Sequence, residues 1–499
     1  MTKFSLLDYI VVATYLIGVV VLGLVFSKRQ TSLKEYYHAS SSLPWWAVGI
    51  SMIATQLSPI SYLAIPGWIF LKDSRTSFSY PLVGIALVPL TAAIWLPLWS
   101  RIRMMTIYEY LETRFHPLIR TLGALQFLLS TLCWVGTALV ATSLGFQHVT
   151  GFDGRWCLTI ITLLGTLYTM IGGMRAVIWT DVAQFLVLVV GYAATLLTLL
   201  YLFDWRPLDA YQIASSTISA ETGYPHTKLI SFEFDLKTEA TIWVVLLVQL
   251  RVVLEFGASQ YMVQRLHATR SRRDMLKSIY SSRLCEFGVA LLSVPVAWGL
   301  VAFYARHPEM KAGLMHPDQV LPDFTMQYLP TVFRSLIMAG VLAALMSTLD
   351  SSLNSMSNVM INDLYRRYFF PKATEKHLVR AGKILTLLTG FFIFLFAVWQ
   401  FDPQGDNALE KVAKLMNVFA SPLICFFLLG IISTRTNTPG VLIGAVAGTT
   451  FSITFNGFPG LFEPILNWIN WMWVAGLAIM VNLIVGYLAS LPFSLGRQK

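Results

Sequence analysis

The chain has 499 residues, 56% of them hydrophobic and only 12% charged, whereas soluble domains are about one quarter charged. Water is therefore not the main solvent of this fold, and no stretch is left over for a soluble enzyme module, so residues 1–499 form one polytopic domain. The net charge of +10 has to be read from where the charges fall before it is taken to mean nucleic acid or anionic lipid.

A membrane-crossing helix needs roughly 20 mostly apolar residues. About thirteen such spans are expected, near 7–27, 45–70, 79–100, 121–148, 157–173, 181–203, 239–262, 279–304, 331–358, 378–400, 411–433, 438–455 and 470–492. The protein is thus expected to be an all-α integral membrane protein. The first run has no small-residue cleavage site at Phe26 and Ser27, so it reads as a retained helix. With the N-terminus outside, Lys28, Arg29 and Lys34 fall inside, as do Arg101, Arg103, Arg114 and Arg120, the group Arg265, Arg270, Arg272, Arg273 and Lys277, and Arg366, Arg367, Lys372, Lys376 and Arg380. This is the positive-inside bias of a threaded helix set. The basic charge is topology, no nucleic-acid patch is implied, and the C-terminus is expected in the cytoplasm. Compact loops suggest a bacterial inner (plasma) membrane. Cys133, Cys157, Cys285 and Cys425 lack CxxC spacing and suggest neither disulfides nor zinc.

Three stretches are not bland. The second span reads Ile-Ala-Thr-Gln-Leu-Ser-Pro-Ile-Ser from Ile53 to Ser61, and Pro66-Gly67 follow. Proline removes a backbone donor and disrupts a helix; the outcome is either a simple kink or a broken helix whose carbonyls line an ion or substrate site. Gly172 to Asp181 joins the fifth and sixth spans, and Asp181 reads as an N-cap carboxylate at a helix start. In the ninth span Ser347, Asp350, Ser351 and Asn354 recur at three and four residues and share a face. Hydroxyls in such helices usually bond back to the i−4 carbonyl, but an intramembrane carboxylate such as Asp350 is costly and marks function. Hydroxyl, carbonyl and carboxylate oxygens suit a hard cation.

These segments together resemble the sodium/solute symporter family, which includes sodium-glucose, proline, sialic-acid and iodide transporters. The resemblance is carried by Ser42 to Gly49, Thr106 to Glu112, Gly172 to Asp181, Gln260 to Arg265, Ala343 to Asn354 and Ser421-Pro422. It implies a five-plus-five inverted-repeat (LeuT-like) core over residues 45–433, with one leading helix at 7–27 and two trailing helices at 438–492. It also implies alternating access around a midplane site, with Na+ as coupling ion and no other cofactor. By that resemblance a first sodium is held by the carbonyls of Ala54, Leu57 and Ala344 and the hydroxyls of Ser347 and Thr348. Asp181, Asp350 and Ser351 are candidates for a second sodium, although relatives carry a small or hydroxyl residue where Asp350 stands.

The same resemblance places substrate contacts at Thr55, Gln56, Ser58, Ser61, Glu255 and Lys414. Arg251 on the seventh span either pairs structurally with Glu255 at i+4 or, like Lys414, meets an anionic group of the solute. Tyr62, Trp68 and Tyr80 could stack on a sugar face or close a gate, or anchor the chain at the membrane interface. Sialic-acid transporters place an arginine where this chain reads Ser130 to Trp134, and none occurs there.

The expected activity is sodium-coupled import of a small polar organic solute, a monosaccharide or sugar acid first. An amino acid or monocarboxylate, proton coupling through Asp181 and Asp350, and a passive channel are the alternatives. The eight histidines all fall in loops or at helix ends, which speaks against an enzyme. The partners expected are the solute, Na+ and the lipid bilayer, with no obligatory protein partner.

Overall fold

The computed structural model describes residues 4–26, 30–57, 59–102, 104–311, 319–401, 421–457 and 473–494. In chain order the helices are α1 (Leu6–Val25), α2 (Leu33–His38), α3 (Trp45–Gln56), α4 (Pro59–Leu71), α5 (Arg75–Ala86), α6 (Val88–Arg101) and α7 (Tyr108–Arg114). They continue as α8 (Pro117–Thr150), α9 (Gly154–Leu202), α10 (Pro207–Ser216), α11 (Ile242–Phe256), α12 (Gln260–His267), α13 (Arg272–Arg306), α14 (Pro308–Lys311), α15 (Val320–Tyr328) and α16 (Thr331–Val359). A π-helical turn, Met360–Phe369, extends α16, and α17 (Glu375–Gln400), α18 (Ser421–Ile432), α19 (Thr438–Gly457) and α20 (Trp473–Ser494) follow. Among the described residues the only β-structure is two isolated bridges.

Eight of these helices are long and apolar enough to cross a membrane, or ten if each of two bent pairs is one span. The difference from thirteen has physical causes. The second expected span is two short helices, α3 and α4, because Pro59 interrupts it. The fifth and sixth fall in one helix, α9, that breaks at Gly173 with φ 59° and ψ −162°. A Cβ there would stand 2.6 Å from the Tyr36 carbonyl oxygen, so only glycine fits. The eleventh lies partly outside the described residues.

Helix α16 is the axis of the molecule, buried without interruption from Ile337 to Val359. Its serines, threonine, two asparagines and aspartate therefore have only protein around them, and must find partners there. The periphery is the opposite: Ile17, Leu163, Leu197, Phe391, Val446 and Met480 are exposed, as lipid-facing positions should be.

Charged contacts fix the ends of the bundle. Asp8 on α1 accepts from Arg334 Nε at 2.9 Å and from Ser335 at 2.5 Å, which pins the leading helix to the start of α16. At the other end Glu112 of α7 accepts from Arg367 Nη2 at 2.6 Å and Arg120 Nη1 at 2.8 Å, while Arg120 Nε also donates to Asp363 at 2.6 Å. Arg265, assigned from sequence to a cytoplasmic segment, sits on α12 with no exposure at all, because α11 and α12 meet at 61° and carry it into the protein.

The Arg367 guanidinium, with burial opposing it, brings the Glu112 carboxyl from 4.5 to about 2. A depressed carboxylate stabilises the fold fully above its unfolded value and loses that contribution as pH falls toward the folded value. Between about pH 5 and pH 3 the melting temperature of the purified protein should therefore fall less steeply in Glu112→Gln than in the wild type. Equal slopes would contradict this.

Candidate functional site

The site begins with a missing hydrogen. Pro59 has no N–H, so the carbonyl of Thr55 loses the i+4 donor that would continue the helix. At Leu57 the backbone leaves the helical region (φ −75°, ψ 89°). The Thr348 hydroxyl of α16 faces this break, 3.3 Å from the Thr55 carbonyl oxygen and 3.0 Å from that of Ala344. A hydroxyl has one hydrogen and can serve one of these carbonyls at a time, so oxygen lone pairs converge there without enough donors. Ala54, Leu57 and Ala344 pack in one cluster around this point. Ser347, the second hydroxyl expected at a first sodium, instead donates to Asp181 at 2.5 Å.

Asp181 is not an N-cap. It lies well inside α9, fully buried, opposite Arg265, whose Nη2 approaches it at 3.1 Å with neither side chain exposed. Ser51 also donates to Asp181, and Arg265 donates to Ser51 at 2.8 Å, to the Tyr261 carbonyl at 2.9 Å and to Ser351. Thr55 Oγ1 stands 2.8 Å from Ser351 Oγ. Four helices, α3, α9, α12 and α16, are thereby tied through one ion pair. The three residues expected at a second sodium are split: Asp181 and Ser351 share Arg265, whereas Asp350 turns to Tyr168, whose hydroxyl it accepts.

Beside the helix break lies a cavity of about 600 Å³, lined by Thr55, Gln56, Leu57, Thr348, Tyr80, Arg251 and Glu255 among others. That volume suits a small organic solute. Arg251 and Glu255 approach at 3.7 Å with about a third of each side chain exposed, a loose pair at the cavity wall. Ser130, Thr131 and Trp134 also line it, so the stretch without an arginine does face the cavity. Trp68 and Tyr80 are on the wall, while Tyr62 is not; it is buried against Tyr192.

Sequence reasoning missed Arg283 and Glu286, which line the same cavity and pair at 2.7 Å. Their signal was available: two opposite charges at i,i+3 within an apolar span have to meet each other or a ligand. Ser58 and Lys414 lie outside the described residues, and Ser61 falls in α4 with its side chain outside that description.

A broken helix, a hydroxyl-rich buried partner and a cavity beside the break are the parts of a cation-coupled carrier. A model of the sodium:solute symporter family matches residues 36–448. The chain belongs to that family. It is therefore a sodium-coupled symporter and not an enzyme. It is 27% identical to the sodium/sialic acid symporter SiaT of Proteus mirabilis, over 89% of this chain and 88% of that one. It is 26% identical to the sodium/sialic acid symporter NanT of Aliivibrio fischeri, over 98% and 94%. Its fold is similar to that of a Na+-coupled sialic acid symporter solved in a substrate-bound, outward-open state, with a TM-score of 0.86, 25% identity, and coverage of 98% of this chain and 99% of that one. The expected LeuT-like, all-α membrane fold holds.

Removing one partner of a buried ion pair strands the other charge and costs about 3–5 kcal/mol. Arg265→Met should lower the melting temperature of the purified symporter sharply, and adding Asp181→Leu should recover most of the loss. A double variant as unstable as the single would show that the pair itself is not what matters.

Proposed function

We propose that this symporter carries a sugar acid into the cell together with sodium, across the plasma membrane, with its N-terminus outside and its C-terminus in the cytoplasm. The observation that carries the ion half is Thr348, whose hydroxyl stands between the carbonyls of Thr55 and Ala344 on the cavity wall. A sodium ion there replaces the missing donors with a charge, taking carbonyl and hydroxyl oxygens in place of water. Ala54, Leu57, Ala344, Ser347 and Thr348 form this first site. For Ser347 to join, it has to rotate away from Asp181. Asp181 and Ser351 join a second site only when Arg265 withdraws from them.

The solute half rests on three supports. Both curated relatives compared above are named for sialic acid, which is itself a sugar acid. The cavity offers the Arg251 guanidinium for a carboxylate, in bidentate geometry, and with no arginine on the Ser130 to Trp134 stretch the carboxylate is taken by Arg251 instead. Trp68, Tyr80 and Trp134 supply apolar faces for a sugar ring. Thr55, Gln56, Ser58, Ser61, Glu255 and Lys414 complete the proposed solute shell.

The test is a sodium-dependent thermal shift of the purified protein, with potassium as control, against hexoses, hexuronic acids, monocarboxylates and amino acids. A sugar acid should stabilise the protein only with sodium. Arg251→Ala should weaken that binding by about 30-fold or more, as losing one side of a desolvated charged contact does, and Thr348→Ala should remove the sodium dependence. Stabilisation by neutral hexoses and sugar acids alike, unaffected by Arg251→Ala, would overturn the solute assignment.

A further inference from the structure

At the end of the bundle where α3 and α13 begin and α6 finishes lies a second, smaller cavity of about 160 Å³. Its wall carries cations from three segments: Lys34 on α2, Arg270 in the link between α12 and α13, and Arg272 in the first turn of α13. No carboxylate is among its lining residues. The acidic side chains beside these cations in the chain are used elsewhere, Asp274 in capping α13 through Ser271 and Glu35 in accepting from Thr31. Among the described residues Lys34, Arg270 and Arg272 form no ion pair. Arg270 donates from Nε to the Ser42 carbonyl at 3.2 Å, which leaves both of its Nη groups unused. Like charges gathered without a counter-charge repel one another and favour an anion brought between them.

The rest of the wall is held firmly. His38 and His267 are buried with ring centroids 5.6 Å apart, and each gives its Nε2 to a carbonyl, that of Met105 at 3.2 Å and that of Trp99 at 3.1 Å. Burial, with His267 beside it, brings His38 from 6.5 to about 3, so this ring adds structure and no charge. The hydroxyls of Ser41 and Ser100 also line the cavity and make no hydrogen bond to a described residue. Ser41 is presented by an unusual turn, in which Ala39, Ser40 and Ser41 in succession have φ of 46°, 53° and 56°. Residues other than glycine seldom enter that left-handed region, and they stay there only where the surroundings hold them. Just after the turn, the Leu43 N–H donates to the Ala268 carbonyl at 3.0 Å, which joins the link before α3 to the link before α13 beside the cavity.

The space is smaller than the roughly 300 Å³ at which pockets for drug-sized ligands begin, so it takes a compact anion. Guanidinium forks match the oxygens of a phosphate in pairs, and an ammonium adds a point charge. The N-terminus of α13, which opens beside Arg272, adds a field of the same sign. Trp45 and Trp46 are exposed at the start of α3, as tryptophans at the level of lipid headgroups are, and basic pockets between membrane helices at that level take lipid phosphates. We propose that this cavity binds a phosphate group, carried either by an anionic phospholipid headgroup or by a soluble phosphate. Lys34, Arg270 and Arg272 meet its charge, and Ser41 and Ser100 donate to its oxygens. None of the five lines the solute cavity, and the site needs neither sodium nor solute. A phosphate held there bridges α2 to the start of α13 and so braces α3 against α12, the two helices that carry Ser51 and Arg265.

Thermal unfolding of the purified full-length protein tests this in two settings: phosphatidylcholine nanodiscs with and without phosphatidylglycerol, and detergent micelles titrated with inorganic phosphate against chloride at matched ionic strength. At least one probe should raise the melting temperature. Stabilisation by phosphatidylglycerol alone identifies a lipid headgroup, by inorganic phosphate alone a soluble ligand, and by both a site for the phosphate group itself. Arg270→Gln combined with Arg272→Gln should raise the half-saturating amount of the active probe about tenfold or more, as losing charged hydrogen bonds does. Arg273→Gln combined with Lys277→Gln removes the same charge from exposed neighbours that do not line the cavity, and should leave it unchanged. Lys34→Gln, at another exposed position, should weaken the effect in the same sense and decides the matter if the first pair does not fold. No stabilisation by either probe would overturn the proposal. Equal weakening by the two double variants would overturn it too, because general surface charge would then suffice.

Discussion

The rest of the structure hangs on one buried ion pair, Arg265 with Asp181, set where neither side chain meets solvent. Two charges removed from water are stable only when their remaining hydrogen-bonding capacity is used, and here Ser51, Ser347, Ser351 and the Tyr261 carbonyl use it. Those partners come from α3, α12 and α16, and Asp181 itself from α9. The pair therefore sets the spacing between the broken helix and the central one, and that spacing positions Thr348 against the break.

Coupling follows from the same geometry. Thr55, Gln56 and Leu57 belong to the break and also to the wall of the solute cavity. If the proposed sodium site at the break and the proposed solute site in the cavity hold, an ion that stabilises the break fixes part of the surface that the solute meets, so ion and solute each favour the conformation that binds the other. By linkage the effect is reciprocal. No long pathway is required, because the two sites share a backbone segment.

Much of this was legible in the sequence. Proline 59 in an apolar run announced the break between α3 and α4, and the i, i+3, i+4 recurrence of Ser347, Asp350, Ser351 and Asn354 announced a polar seam, because both signals are local. What failed was long-range. Arg265 sits in a stretch rich in arginine and read as a cytoplasmic positive charge; only the bend between α11 and α12 carries it to Asp181. Asp181 read as a cap because the glycines before it looked like a helix boundary, yet the break falls at Gly173 and helix resumes well before residue 181. Arg283 and Glu286 were passed over since local spacing does not say which face of α13 meets the cavity. The division of Asp181 from Asp350 depends on the packing of α1 and α12, which neither residue's neighbours in the chain reveal.

Sodium-driven accumulation of the solute is the central claim, and uptake into proteoliposomes under an imposed inward sodium gradient tests it most directly. The account predicts that a sugar acid rises inside above its external concentration, that dissipating the sodium gradient with an ionophore collapses this, and that Thr348→Ala does not accumulate it. Solute that only equilibrates across the membrane, or that accumulates equally well with potassium in place of sodium, would contradict it.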